Sequence, residues 1–412
     1  MIKVVDAIMG TGKSSAAITY MNEHEDQKFI YITPYLSEAS RIVQSCKALN
    51  FIEPAHHSEF SWSKTLHTLD LVKQGKNIAS THQAFRSYSS DLLDEIKSKE
   101  YTLIIDENVE VLEVVDEDPA DIQMIIDAGY VQEIGACRYH LVKDVYHGKT
   151  HSDLFRLLRS RDIIKTTYED GNDTFFYWQL PPELITSFKD VFILTYLFDG
   201  QDLHHFLEMY SIPYDFTNIS FDGKTYRFSD TNKYVPEYVY SISDKIHIED
   251  TESLNSVGDD KYALSVSWFK KTKPGIDKLK NNTSNFFKHR HPVSADKKMW
   301  STFKDAHSKI RGKGYTNAFV NFNEKATNEY RDRNVLVYDV NIFMNVGQKT
   351  FYIENGIDVN EDLYALSVMV QWIWRSAIRD GNEIWIYVPS KRMRDMLINW
   401  MNSISKGENN YG

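Results

Sequence analysis

The sequence predicts an α/β protein built on parallel β-sheets, and three observations support this prediction. Residues 2–17 have the pattern of an apolar strand, a glycine-containing loop and a helix. A second strand followed by a helix begins at residue 28, and a strand over residues 384–389 precedes a closing helix. Strands that alternate with helices are typical of parallel sheets with helical crossovers. We therefore expect two α/β domains, residues 1–205 and 206–412.

Two further segments complete this outline. Residues 110–182, approximately, interrupt the strand–helix alternation and are predicted to form an insertion in the first domain. Residues 261–267 are predicted to form the strand that opens the second domain.

Size and composition limit the class of protein. The chain has 412 residues, 42% hydrophobic and 25% charged, as in soluble globular proteins of two or three domains. Its two cysteines, Cys46 and Cys137, provide neither a disulfide framework nor metal-ligand spacing, and no apolar run reaches the ~18–20 residues that span a bilayer. We therefore expect a cytoplasmic protein without membrane contact. Because the net charge is −11, any nucleic-acid contact has to use a local basic surface.

The loop over residues 7–14 (AIMGTGKS) follows the P-loop pattern, with alanine in place of its first glycine. Backbone N–H groups of such a loop, with the positive end of the following helix, bind the phosphates of a nucleoside triphosphate. Lys13 would supply positive charge to the phosphates, and the Ser14 hydroxyl would ligate Mg²⁺. The alternative is an ordinary glycine turn before a helix. The predicted ATP-binding residues are Gly10, Thr11, Gly12, Lys13, Ser14 and Ser15.

Two adjacent carboxylates end another apolar strand, which begins near residue 101. In a P-loop fold we expect this strand beside the P-loop strand. Asp106 would then hold Mg²⁺ through water, and Glu107 would orient the attacking water. The alternative is a strand that happens to end in an acidic turn. The position of the pair, roughly 90 residues after Lys13, favours the catalytic interpretation.

A basic segment lies in the second half. Residues 270–313 contain thirteen basic and three acidic residues, with aromatic residues between them. Phosphate neutralisation combined with aromatic faces is typical of a nucleic-acid surface. The alternative is a pair of solvated helices whose aromatic residues belong to the core. The candidate contacts are Lys270, Lys271, Lys288, Arg290, Lys297 and Lys298.

These elements, in this order, resemble superfamily-two helicases. Residues 7–14 resemble motif I, in which alanine is common at the first position, and residues 106–109 resemble motif II with valine at its last position. Residues 33–34 resemble motif Ia, and residues 81–83 resemble the threonine-containing motif that touches the nucleic-acid backbone. Residues 195–197 occupy the place of motif III but share one of its three residues. The resemblance implies nucleic-acid contacts by Thr33, Pro34, Thr81 and His82.

Residues 371–379 resemble motif VI, a helix that carries a glutamine and two arginines. Their spacing of four places Gln371, Arg375 and Arg379 on one helical face. In the family this face crosses the ATP cleft and its arginines reach the γ-phosphate, an interaction worth roughly 10³–10⁵ in rate. The alternative is an amphipathic helix with exposed arginines.

Motif V has two candidates, residues 356–359 and the pair Thr327 and Asn328, which is included among the predicted nucleic-acid contacts. The resemblance as a whole implies two RecA-like P-loop domains in tandem with the ATP cleft between them. It also implies ATP and Mg²⁺ as cofactors.

The function implied is that of a nucleic-acid-dependent ATPase, a DNA helicase or translocase of the bacteriophage type, acting in phage replication or recombination. DNA is favoured over RNA because no Q-motif precedes the P-loop. Such a protein would lie in the host cytoplasm, and a monomer is plausible. Two alternatives stay open. A P-loop small-molecule kinase would not need the basic segment, and an ATP-gated DNA clamp or loader would bind DNA without unwinding it.

Overall fold

The computed structural model describes residues 1–115, 117–135, 137–143, 146, 148, 150–167, 174–323 and 329–407. The described part of the chain forms two compact units. The first unit contains Met1–Ile8, Gly12–Tyr234 and Asn345–Val359, and the second contains the remainder. The predicted boundary at residue 205 therefore differs from the structure, which places residues 206–234 in the first unit.

The strands follow the apolar runs of the sequence. They are β1 (Ile2–Asp6), β2 (Phe29–Thr33), β3 (Ile78–Thr81), β4 (Thr102–Asp106), β5 (Leu112–Val114), β6 (Val131–Glu133), β7 (Arg138–Leu141), β8 (Asp162–Thr167), β9 (Thr174–Gln179), β10 (Asp190–Thr195), β11 (Tyr214–Phe216), β12 (Asn218–Phe221), β13 (Tyr226–Ser229), β14 (Ile246–Ile248), β15 (Lys298–Ser301), β16 (Val335–Tyr338) and β17 (Ile384–Tyr387).

The helices connect these strands. They are α1 (Lys13–Glu23), α2 (Leu36–Ser45), α3 (Lys64–Lys73), α4 (His82–Phe85), α5 (Ser90–Ser98), α6 (Pro119–Asp127), α7 (Ser152–Leu158), α8 (Glu183–Thr186), α9 (Asp202–Met209), α10 (Glu237–Tyr240), α11 (Glu252–Asn255), α12 (Val266–Lys271), α13 (Lys273–Asn285), α14 (Lys304–Ile310), α15 (Val346–Glu354), α16 (Glu361–Ile373) and α17 (Lys391–Ser405).

The first unit is built on a parallel sheet with the strand order β11-β1-β10-β4-β2-β3. Successive strand residues point into different cores: Ile30 and Ile32 of β2 enter one, and Phe29 and Tyr31 enter the other. Such two-sided burial explains why the strands are apolar almost throughout. The prediction of an α/β fold with parallel sheets is thus confirmed for this unit. The expected pairing of the carboxylate strand with the P-loop strand is wrong, because β10 lies between β4 and β1.

The predicted insertion forms its own sheet. Strands β5-β9-β8-β7-β6 pair antiparallel, and α6 and α7 contribute to a separate core that includes Ile122, Phe155 and Trp178. This segment leaves the main sheet after β4 and returns at β10. Both ends of the insertion therefore lie on strands that carry predicted motifs.

The second unit has a parallel sheet of its own, with the order β14-β17-β16-β15. The strand predicted over residues 261–267 is wrong. Residues 261–264 form a turn, with Leu264 in the left-handed region at φ 63°, and α12 begins at Val266. The Ser265 hydroxyl accepts a hydrogen bond from the Trp268 N–H at 3.3 Å, and this N-cap starts a helix where the apolar pattern suggested a strand.

One segment from the second half of the chain belongs to the first unit. Helix α15 packs there through the hydrogen bond from Gln348 Nε2 to Asp202 Oδ1, at 2.8 Å, and through the rings of Tyr352 and His205, 5.1 Å apart. The Tyr177 hydroxyl also donates to Asn345 Oδ1 at 2.9 Å. The chain therefore returns to the first unit between β16 and α16.

Candidate nucleotide site and nucleic-acid surfaces

The predicted P-loop joins β1 to α1. Gly10 and Gly12 have φ of 81° and 95°, and Gly12 is the N-cap of α1. These left-handed conformations favour glycine, since a β-carbon would be strained there. The buried residues Ala16, Ala17 and Met21 fix α1 to the sheet. The loop and the positive end of α1 are thus held as phosphate binding requires.

Lys13 bends back over the loop. Its ammonium donates hydrogen bonds to the carbonyl oxygens of Ala7 and Ile8, the latter at 3.1 Å. Burial lowers the pKa of Lys13 to about 8, against the opposing effect of the nearby acids, of which Asp106 is the largest. A phosphate group would offer this ammonium a full negative charge in place of two carbonyl dipoles.

Asp106, at the end of β4, connects the carboxylate strand to the P-loop. Its Oδ2 atom accepts hydrogen bonds from the Ser14 hydroxyl at 2.9 Å and the Tyr31 hydroxyl at 2.6 Å. Burial raises the pKa of Asp106, and these two hydrogen bonds and Lys13 oppose the rise. Although β10 separates β1 from β4, the structure brings the predicted metal ligands Ser14 and Asp106 together. Hydroxyl and carboxylate oxygens are the hard ligands that Mg²⁺ prefers, so the residues present fit this ion.

Two residues that contact this candidate site were missed from the sequence. Tyr31 looked like an ordinary core residue of β2. Asp6 ends β1, and its carboxylate accepts the N–H groups of Leu197 and Phe198 at 2.9 and 3.1 Å. Asp6 thereby ties the P-loop strand to the residues after β10. An acid at the end of the P-loop strand was the available signal.

Glu107 follows Asp106 in the left-handed region, at φ 67, and its N–H donates to the Leu194 carbonyl at 2.9 Å. A non-glycine residue in this region carries strain of about 1–2 kcal/mol, which is common at functional sites. The charge of Glu107 raises the pKa of Lys13, so its carboxylate lies in the electrostatic surroundings of the Lys13 ammonium.

A groove in the first unit connects two predicted nucleic-acid motifs. Thr33 and Thr81 are partners in the pairing of β2 with β3, so residues 33–34 and 81–83 leave the sheet side by side. A shallow cavity of about 430 Å³ follows, lined by Pro34, Tyr35, Leu36, Ser37, Lys64, Thr81 and Gln83.

Direct contacts by two of the predicted residues are contradicted. The side chain of Thr33 is buried. His82 is buried as well, and its Nε2 atom donates to the Asp106 carbonyl at 2.9 Å. Both side chains therefore point into the protein, and His82 supports the end of β4. Pro34 and Thr81 remain at the groove.

The basic segment is less open than its composition suggested. Phe286 and Phe287 lie in the π-helical turn Phe286–Arg290, which follows α13, and Trp300 lies in β15; all three are fully buried in the core of the second unit. The predicted aromatic faces for nucleic acid are therefore absent at these three positions. Lys298 is also buried, and its ammonium donates to the Gly314 carbonyl at 3.2 Å.

The other predicted cations of this segment lie nearer the surface. Arg290 pairs with Glu249 at 3.0 Å, and Lys297 lies 4.0 Å from Asp332. Lys270, Lys271 and Lys288 are exposed.

The predicted motif VI is not one continuous helix. Helix α16 ends at Ile373, and Arg379 lies on a separate 3₁₀ turn. The Ser376 hydroxyl donates to the Ile373 carbonyl at 2.6 Å, and this bond competes with the helical pattern. The single face predicted for Gln371, Arg375 and Arg379 is therefore wrong. Arg375 is buried and Arg379 is exposed.

The two candidates for motif V lie in different parts of the chain. Thr327 and Asn328 lie outside the described residues. Residues 356–359 follow α15 and belong to the first unit.

In the described part of the chain, every helix is too short or too polar to cross a membrane.

Comparison with known proteins gives matches in sequence and in structure. Residues 240–401 match the family described as the YonV C-terminal Rossmann-like domain. The chain is 36% identical to the SPbeta prophage-derived uncharacterized protein YonV of Bacillus subtilis (strain 168), over 97% of this chain and 98% of that protein.

Among solved structures, Xpd4 of S. tokodaii is 12% identical, with a TM-score of 0.47 over 100% of this chain and 94% of that one. An XPD helicase is 11% identical, with a TM-score of 0.42 over 99% and 95%. These structural likenesses are too weak to assign an activity. The sequence match is strong and spans both chains, and so the protein belongs to the family of the prophage protein YonV.

Proposed function

We propose that the chain is an ATP hydrolase of the helicase or translocase type whose activity depends on nucleic acid. The observation that carries this proposal is the hydrogen bond between Ser14 and Asp106, which joins the P-loop to the carboxylate strand. It brings a hydroxyl and a carboxylate ligand for Mg²⁺ next to the ammonium of Lys13. P-loop hydrolases use this combination to hold and neutralise the phosphates.

Each residue has a separate task in this proposal. Lys13 exchanges its two carbonyl partners for the β- and γ-phosphate oxygens. Ser14 and Asp106 hold Mg²⁺, which when bound neutralises charge that develops on the phosphates. Tyr31 keeps the Asp106 carboxylate oriented, and Glu107 orients the attacking water.

Nucleic acid would contact the first unit at the groove between Pro34 and Thr81. The cation available there is Lys64, at the start of α3. Exposed Lys270, Lys271 and Lys288 would add phosphate contacts from the second unit. The prophage origin of the related protein supports a role in phage DNA metabolism, with DNA as the track and the host cytoplasm as the location.

Arg375 and Arg379 are the proposed sources of an arginine finger. Both assignments rest on the sequence pattern, and the break after Ile373 separates the two residues into different elements. Substituting each arginine separately by alanine would identify the finger. We expect one of the two variants to lose hydrolysis by roughly 10³-fold while keeping its affinity for ATP.

The test is phosphate release from Mg²⁺-ATP with and without single-stranded DNA, duplex DNA and RNA. We expect one polymer to stimulate hydrolysis, and Lys13→Ala to abolish it. Lys47→Ala, at an exposed lysine that is not among the proposed site residues, is the matched control and should behave like the wild type.

The polymer result separates the three functions. Hydrolysis that ignores every polymer would overturn the proposal and favour a small-molecule kinase, to be pursued with small acceptors. Stimulated hydrolysis without strand displacement or translocation would favour the clamp or loader. Displacement of a labelled strand from partial duplexes, measured in the same preparation, decides this second point.

A further inference from the structure

An exposed tryptophan lies in the loop that leads into the groove of the first unit. All eight tryptophans belong to the described part of the chain, and among them Trp62 is the exposed one, at 66% of its full accessibility. Within the described residues, no other ring packs against it. An indole is a large, flat and mostly apolar surface. Trp62 therefore offers a π-face to a molecule that arrives from solution.

The backbone of this loop is fixed by hydrogen bonds. The Trp62 N–H donates to the His57 carbonyl at 2.9 Å, and the Trp62 carbonyl lies 2.5 Å from Nδ1 of His56. Ser61 and Trp62 are both in the left-handed region, at φ 51° and 60°. Residues other than glycine are strained there, and such strain is common at functional sites.

The other rings of the loop pack on α3. Phe60 is stacked on His67, with centroids 4.9 Å apart and planes 8° apart, and His57 meets His67 edge-on at 4.8 Å. These contacts tie the loop to the helix. The position of Trp62 is therefore set by the same helix whose first residue, Lys64, lines the groove.

The groove beside Trp62 has positive potential. Lys64 follows Trp62 by two residues, which span at most about 7 Å between α-carbons. Ser63 is the N-cap of α3, so the positive end of this helix lies next to the Lys64 ammonium. Helix α2 also begins at the groove, with Leu36, and no side-chain hydrogen bond caps it. These groups together suit the phosphates of a nucleic-acid backbone.

Apolar surface accompanies this charge. Leu36, which lines the groove, is 52% exposed, and Leu66, in the first turn of α3, is 46% exposed. Cationic groups for phosphates combined with flat or apolar faces for bases are the two parts of a surface that binds single strands. In a duplex each base is covered by its neighbours in the stack, so an unpaired strand is the form that can offer a base to Trp62.

We propose that Trp62 stacks on a base of a single-stranded nucleic acid whose backbone lies in the groove at Lys64. This inference rests on the proposed function and names the form of the track, an unpaired strand. Every base has a π-face, so the contact tolerates any sequence. Removal of the indole should lower the affinity for a single strand by roughly 5- to 150-fold.

The test compares a labelled single strand of DNA with a strand of equal length that contains only abasic sites and so keeps the phosphates without the bases. Fluorescence anisotropy measures the binding of each strand to full-length wild type, Trp62→Ala, Trp62→Phe and Lys64→Ala, without nucleotide. Phe216→Ala is the matched control, because Phe216 is 53% exposed on β11, at the opposite edge of the sheet from β3. Circular dichroism verifies that each variant is folded.

We expect Trp62→Ala to lose affinity for the base-containing strand and to bind the abasic strand like the wild type. Trp62→Phe, which keeps a ring, should retain more of the affinity than Trp62→Ala. Lys64→Ala should weaken the binding of both strands, and Phe216→Ala should weaken neither. Equal weakening of both strands in Trp62→Ala, or no change in either, would overturn the stacking.

Tryptophan emission gives a second readout. The base-containing strand should quench the emission of the wild type more than that of Trp62→Phe, because the stacked indole is absent from this variant. Equal quenching of the two proteins would overturn the stacking.

The proposed function can fail separately from this inference. If no polymer stimulates hydrolysis by the wild type, but Trp62→Ala shows the selective loss of binding, the motor fails and the strand site stands. If a polymer stimulates hydrolysis and Trp62→Ala binds both strands like the wild type, the stacking alone fails.

Discussion

The lowered pKa of Lys13 predicts that nucleotide affinity falls as the pH rises above 8. Burial lowers this pKa to about 8, and the neighbouring acids only partly restore it. The ammonium form binds phosphate, whereas the neutral amine does not. Below pH 8 Lys13 is already protonated in the free protein. Above pH 8 Lys13 has to take up a proton when phosphate binds, and this requirement lowers the affinity.

The size of the effect follows from the fraction of charged Lys13. With a pKa of about 8, roughly one molecule in eleven is charged at pH 9. The dissociation constant should therefore be about tenfold larger at pH 9 than well below pH 8, which corresponds to about 1.4 kcal/mol. Phosphate groups titrate near pH 6, so the ligand does not contribute to this change.

The assay is titration with a non-hydrolysable ATP analogue between about pH 7.5 and pH 9.5 at constant ionic strength. Lys13→Arg is the matched control, because a guanidinium stays charged over this window. Its affinity should be independent of pH, whatever its absolute value. An equally steep loss in Lys13→Arg, or a flat wild-type profile, would refute the assignment of Lys13 as the phosphate-binding cation.

Three further predictions concern the carboxylate and the groove. Asp106→Asn should lower hydrolysis at least ~100-fold, measured by phosphate release. It should also raise the free energy of unfolding by about 1 kcal/mol, because burial raises the pKa of Asp106 and the folded protein therefore holds the charged carboxylate at a cost in stability. Denaturant titration measures this second effect, and a variant less stable than the wild type would contradict the account. Tyr31→Phe should increase the Mg²⁺ concentration for half-maximal hydrolysis about tenfold, since a hydrogen bond to a charged group is worth roughly 1.5–3 kcal/mol. Hydrolysis measured against Mg²⁺ concentration tests this, and an unchanged Mg²⁺ requirement would refute the role of Tyr31. Lys64→Ala should weaken the stimulation of hydrolysis by single-stranded DNA, and should lower the slope of log affinity for this DNA against log salt concentration by roughly 0.7. Lys73 is exposed at the other end of α3, and Lys73→Ala should change neither quantity.

Local signals were sufficient for the P-loop and for the presence of parallel sheets. The strands are buried on both sides, so nearly every residue in them is apolar, and this pattern is visible in the sequence. Gly12 and the residues after it specify a loop and a helix start without help from distant contacts. The placement of Asp106 at a strand end followed from the same kind of local pattern.

The arrangement of these strands depends on contacts that no local pattern contains. The position of β10 between β1 and β4 depends on the packing of the whole sheet. Tyr31 favours a β-strand equally well whether or not its hydroxyl donates a hydrogen bond to Asp106. Its hydrogen bond to Asp106 therefore cannot be predicted until the two strands are placed.

The basic segment shows how composition can mislead. Lysines on the outer face of a helix and aromatic residues on its inner face alternate in the sequence, and the alternation looked like one mixed surface. In the structure Lys288 is exposed, whereas its neighbours Phe286 and Phe287 fill the core. The helical period predicts the direction in which each side chain points, and so it distinguishes the two faces better than the total charge of the segment does.

The return of α15 to the first unit has a consequence for synthesis. Strand β1 and helix α1 are made long before Asn345–Val359, so the unit that contains them is incomplete until this later segment has left the ribosome. Until then Asp202, a buried acid, has no Gln348 to hydrogen-bond. The nascent first unit therefore waits for a late segment, and a fragment that ends between the two units would be made without one of its own helices.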